Sequence, residues 1–143
     1  MVKNNLPGNC EIIKLETFSD HRGHLTVLEG LESLPYDLKR VYWMYGIPEG
    51  KTRGGHAHME NAQFILPIHG GFTITIDDGR ESKEVRIDSP DTGVLVKPLT
   101  WSHLHSFKPG TVVAVFASMH FTPEGYMSNY EEYLETLRSL NKL

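Results

Sequence analysis

Phe72-Thr-Ile-Thr-Ile-Asp77 alternates large apolar and hydroxyl side chains residue by residue, then runs into Asp78-Gly79. Successive side chains of an extended chain point to opposite faces, so Phe72, Ile74 and Ile76 share one face and Thr73 and Thr75 the other. That period of two predicts a half-buried strand closed by a tight turn at Asp77-Asp78-Gly79. Working outward, turn signals recur at short intervals: Asp20-His-Arg-Gly23, Pro48-Glu-Gly50, His69-Gly-Gly71, Pro90-Asp-Thr-Gly93 and Lys108-Pro-Gly110. Between them, residues 11–18, 24–29, 40–46, 63–68, 84–88, 93–97 and 111–118 are rich in β-branched and aromatic side chains and predict further strands. Many short strands with frequent turns make an antiparallel sandwich or barrel the expected architecture.

The period changes at the end of the chain. Tyr130, Tyr133, Leu134, Leu137 and Leu140 form one stripe of a helix, and Ser128 with Glu131 reads as an S-x-x-E capping box. This predicts one helix over 129–141, its stripe packed on the barrel or on a partner. A chain of 143 residues without a linker or repeat reads as one domain, 1–143, with the barrel over 1–127 and the helix over 128–143.

Composition removes several function classes. Hydrophobic residues at 39% and charged residues at 22% are globular values, so no disordered or fibrous role is expected. A net charge of −4 provides no overall positive field for a polyanion, which argues against nucleic acid as a partner. No apolar run reaches signal-peptide or membrane-spanning length, so no membrane role is expected. Cys10 is the only cysteine and has no intrachain partner, which fits a reducing compartment and makes the cytoplasm the expected location.

The chemistry concentrates in Arg53-Gly-Gly-His56-Ala-His58, followed by Gln63. Residues two apart on a strand share a face, so His56 and His58 would project into one cavity. Imidazoles titrate near neutrality and serve there as general acid and base without a metal. The segment Gly93-x4-Pro98-x4-His103 could return a further imidazole, and three histidines would suit a transition metal. Beside these histidines stands the amide of Gln63, a poor ligand for such an ion, so no metal and no other cofactor is expected. Arg53 offers a planar fork for an anion or an oxygen acceptor, and Arg40 is a second candidate for that task. Gln63 can donate and accept at once, and Trp101 presents a flat face that a planar ligand could stack on.

The H-x-H block and the distant His103 block resemble the paired motifs of the cupin superfamily. With the flanks added, Lys39-Arg-Val-Tyr-Trp-Met-Tyr45, Arg53-Gly-Gly-His-Ala-His58, Gln63, Asp77-Asp-Gly79, Trp101 and Ser128-Asn-Tyr-Glu-Glu-Tyr133 resemble the dTDP-4-keto-6-deoxyglucose 3,4-ketoisomerases. The resemblance implies an all-β cupin jelly roll with one C-terminal helix, acting without metal on a dTDP-linked 4-keto-6-deoxy sugar. It implies a homodimer whose subunits exchange N-terminal strands. It also implies that His56 removes the C3 proton and that Tyr42 moves a proton between neighbouring oxygens, with His58 orienting substrate or supporting the enediolate. His103 would join Arg53, Arg40, Gln63 and Trp101 in binding. The segment Ala117-Ser-Met-His-Phe121 lacks the acidic residue and two tyrosines common there in that family, which bears on sugar or nucleotide preference. Three other readings stay open on the residues alone: a sugar epimerase, a metal-dependent cupin enzyme and a non-catalytic sugar-binding barrel.

Overall fold

The computed structural model describes residues 6–143, so residues 1–5 of the expected domain lie outside the described residues. In chain order the strands are β1 (Glu11–Lys14), β2 (Thr17–Asp20), β3 (Gly23–Thr26), β4 (Arg40–Met44), β5 (Arg53–His58) and β6 (Gln63–His69). They continue as β7 (Phe72–Asp77), β8 (Ser82–Ile87), β9 (Thr92–Val96), β10 (Trp101–His105), β11 (Val112–Ala117) and β12 (Tyr126–Met127), before the helix α1 (Tyr130–Ser139). Two five-stranded antiparallel sheets face each other, in the orders β1-β9-β6-β11-β4 and β12-β5-β10-β7-β8. This is the all-β architecture with one C-terminal helix expected from the sequence.

The alternation in β7 sets the inside. Phe72, Ile74 and Ile76 are fully buried and pack with Ile65, Ile87, Val94, Leu104, Val113 and Val115 from the other strands. These side chains fill the space between the sheets, and their removal from water is the main stabilising term. The turn after β7 forms as expected, with the Gly79 amide donating to Asp77 Oδ1 at 2.7 Å.

Two strand expectations change. The run 11–18 breaks into β1 and β2, because Leu15 turns into a separate buried cluster and its amide donates to Asp91 O at 2.7 Å. The strand expected over 24–29 ends at Thr26. β2 and β3 pair only with each other, forming a ribbon whose cross-strand pair Phe18 and Leu25 is 58% and 60% exposed.

The helix begins one residue later than the capping box placed it. Asn129 Oδ1 accepts from the Glu132 amide at 3.0 Å, so Asn129 rather than Ser128 is the cap. Asparagine and serine are equally good caps, and the register that wins is the one that buries Tyr133 and Leu137. Tyr133 is fully buried, and its hydroxyl donates to Leu99 O at 2.9 Å and lies 3.2 Å from Asp77 O. The stripe therefore packs against the barrel, on Ala57, Met127 and Trp101. Among the described residues no helix is long and apolar enough to cross a membrane.

Candidate active site

The site is built on two strands that face each other from different sheets. β4 is the last strand of its sheet, and its alternation turns Arg40, Tyr42 and Met44 inward while Val41 and Trp43 face out. β5 opens with Gly54 and Gly55 at φ +90° and +81°, a left-handed conformation that side chains disfavour. A Cβ on Gly54 would stand 3.1 Å from Ser102 O and 3.2 Å from His103 Cα, so glycine also permits β5 to cross close over β10. Beyond this kink Ala57 is buried against the helix, which leaves His56 and His58 projecting the other way, into the barrel.

The two imidazoles meet edge to face, with ring centroids 4.8 Å apart. Burial holds His56 below the usual imidazole range, opposed by a hydrogen bond with the Gly54 backbone. His58 is pushed down to about 4, first by burial and then by His56 and Arg40, with Gln63 working the other way. Both rings are therefore neutral at pH 7, as a general base must be before it takes a proton. Nε2 of His58 is buried without a hydrogen-bond partner.

Gln63 is buried at the start of β6, and its amide donates to the Tyr42 hydroxyl oxygen at 3.0 Å. That bond fills an acceptor position on the phenol and leaves its O–H free to be given elsewhere. Burial raises the Tyr42 pKa, while Gln63 and the charges of Arg40 and Arg53 lower it. Arg40 lies with its guanidinium carbon 5.1 Å from the Tyr42 ring centroid. A cavity of about 360 Å³ opens beside these groups, lined by Arg40, His58, Met119, His120, Phe121 and Tyr126, among others. Arg53 sits exposed at the rim, its Nε donating to Met44 Sδ at 3.1 Å, beside a second groove that includes Trp43, Tyr45 and Lys51.

The structure thus brings His56, His58, Tyr42, Gln63 and Arg40 together, with Arg53 nearby. It does not bring Trp101 or His103 to them. Leu104 is a core residue, so its neighbours on β10 face out of the barrel. His103 stacks beside His105 with centroids 5.2 Å apart, and Trp101 packs on Tyr130 and Tyr133 of the helix. The three-histidine arrangement allowed by the sequence spacing is not assembled. Among the described residues no group of three or more His, Cys, Asp or Glu is placed to hold a metal ion. Gln63 links the two halves of the site, donating to Tyr42 and bearing on His58.

One residue escaped the sequence reading. Tyr126 of β12 pairs with His58 and sets its ring 5.3 Å from His56 and 5.4 Å from His58, forming one wall of the pocket. A strand of two residues has no periodicity to read. The only available signal was an aromatic residue after the Pro123 turn.

Comparisons with known proteins place this geometry. Residues 8–138 match the family model described as WxcM-like, C-terminal (FdtA). The TDP-4-oxo-6-deoxy-alpha-D-glucose-3,4-oxoisomerase of Aneurinibacillus thermoaerophilus is 29% identical over 131 residues, covering 92% of this chain and 94% of the relative. The crystal structure of QdtA, a sugar 3,4-ketoisomerase from Thermoanaerobacterium thermosaccharolyticum in complex with TDP, is 31% identical with TM-score 0.89, covering 93% of this chain and 97% of the other. A mutant of QdtA in complex with TDP-4-keto-6-deoxyglucose is 30% identical with TM-score 0.90, covering 94% and 97%. With 131 of its residues matched by the model and the His-x-His strand set in this barrel, the chain belongs to the WxcM-like, C-terminal (FdtA) family.

Proposed function

We propose that the protein is a nucleotide-sugar 3,4-ketoisomerase, moving the carbonyl of TDP-4-keto-6-deoxyglucose from C4 to C3. The observation that carries this reading is the pocket itself: two neutral imidazoles beside a phenol whose O–H is free, in a chain whose relatives are named for this reaction. A hydrogen on a carbon next to a ketone is acidic because its loss gives an enediolate. His56 takes the C3 proton, and the C3–H electrons form the C3–C4 double bond while those of the carbonyl pass to O4. Tyr42 receives the proton of the C3 hydroxyl as it gives its own to O4. The carbonyl re-forms at C3 as C4 takes a proton from the imidazole pair. His58 orients a sugar oxygen, and Gln63 is a positioning residue that holds Tyr42. Arg53 binds the diphosphate at the rim, and Arg40 stands beside the cavity that receives the sugar.

The test is a proton NMR time course in deuterium oxide with metal-free protein and TDP-4-keto-6-deoxyglucose. A 3-keto product carrying deuterium at C4 is expected. Exchange without movement of the carbonyl would replace this reading with the epimerase one, and binding without turnover would leave only a sugar-binding barrel.

The active form is proposed to be a homodimer in which the N-terminal ribbon exchanges between copies. The support is apolar surface that the single chain leaves open: Phe18 and Leu25 on the ribbon, and Val41, Trp43 and Tyr45 along an edge strand. Light scattering on the purified protein should return twice the chain mass. A monomer at assay concentration would remove this part of the proposal.

A further inference from the structure

We infer that Arg40 is the group that carries the negative charge of the enediolate, a catalytic role distinct from holding a substrate oxygen in the ground state. The inference rests on the ketoisomerase reading above. Arg40 is the first residue of β4, paired with Ala117 of β11 and turned inward. Its guanidinium carbon stands 5.1 Å from the Tyr42 ring centroid and 5.6 Å from that of Phe121, so two aromatic faces hold it in place. Its Nε is buried and donates to nothing.

No carboxylate among the described residues forms an ion pair with Arg40, although Glu60 and Glu124 line the same cavity. A guanidinium does not escape burial by losing its proton, as a lysine can. An unsatisfied charged donor away from water is costly, and the cost remains until an acceptor arrives. His58, whose Nε2 is likewise buried without a partner, lines the same cavity. An oxygen-bearing ligand that enters this cavity therefore meets the Arg40 guanidinium beside the His58 ring.

The bound ketone is neutral and the enediolate is charged, so the attraction of a fixed cation grows as the reaction proceeds. Such an interaction lowers the barrier because it is stronger in the transition state than in the ground state. Aromatic packing fixes the cation beforehand, so little reorganisation is needed when the charge develops. Arg53 is suited to different work. It is exposed at the rim, where a permanent phosphate charge can meet it without leaving water. The two arginines thus divide a permanent charge from a transient one.

The test compares Arg40→Lys and Arg40→Ala with the wild type on TDP-4-keto-6-deoxyglucose. The expected result is a loss of kcat of about 100-fold in Arg40→Ala with KM nearly unchanged, and a smaller loss in Arg40→Lys. Added guanidinium chloride, below denaturing concentration, should restore part of kcat in Arg40→Ala, and urea should not. A rise in KM with kcat intact would overturn the inference, making Arg40 a ground-state binder. A folded Arg40→Lys or Arg40→Ala with full kcat would overturn it as well. A wild type that converts no substrate would instead overturn the ketoisomerase reading on which it rests.

Discussion

His56→Asn is expected to lower kcat by about 10⁴-fold, the upper end of what a positioned general base contributes. Asparagine is close to imidazole in size and can keep the hydrogen bond with the Gly54 backbone, so the strand and the cavity should survive. It has no basic nitrogen, and the C3 proton then has no acceptor. The variant should therefore lose deuterium exchange at C3 together with the carbonyl shift, while its circular dichroism and TDP binding match the wild type. Full activity in His56→Asn would remove the base assignment. The pH dependence follows from the same residue. The base works only unprotonated, and burial holds its pKa below the usual 6.5, so the acid limb of kcat/KM should fall below pH 6.5. An acid limb at or above 6.5 would identify a different base.

Tyr42→Phe is expected to cost about 10³-fold in carbonyl transfer and to leave proton abstraction in place. The phenol is assigned to the transfer between O3 and O4, a step after C3 has lost its hydrogen. His56 in this variant can still form the enediolate and return a proton to C3. NMR in deuterium oxide should show deuterium entering C3 of the unreacted substrate while 3-keto product accumulates slowly. Loss of both signals together would place Tyr42 in substrate binding. Retention of both would take it out of the mechanism. Gln63 contacts the same oxygen, so the double variant with Gln63→Ala should cost little more than Tyr42→Phe alone.

The strands were legible because alternation is a local property. Phe72, Ile74 and Ile76 announce their common face without knowledge of any partner, and so do His56 and His58. Which face is the inner one is not local. Spacing points His103, and a flat aromatic face Trp101, to the pocket, yet Leu104 takes the core position between His103 and His105. The register shift between Ser102 and His103 adds an irregularity that a spacing count does not see. The ribbon of β2 and β3 alternates like any hairpin, so nothing in it shows that it leaves the barrel. Ser128 and Asn129 are adjacent residues of equal capping power, and only the packing of Tyr133 chooses between them.

The placement of β4 links two properties that are usually separable. One side of this strand turns Arg40 and Tyr42 inward, while the other shows Val41 and Trp43 to the outside, where Trp43 is 61% exposed. Because the faces interchange with every residue, an amino acid inserted or deleted within Arg40–Met44 would reverse the face of every residue on one side of the change, breaking the alternation that points Arg40 and Tyr42 inward and Trp43 outward. Point changes on either side can drift independently, whereas the length of this segment cannot. In natural variants of the protein, indels should collect in its loops and be missing from these five positions.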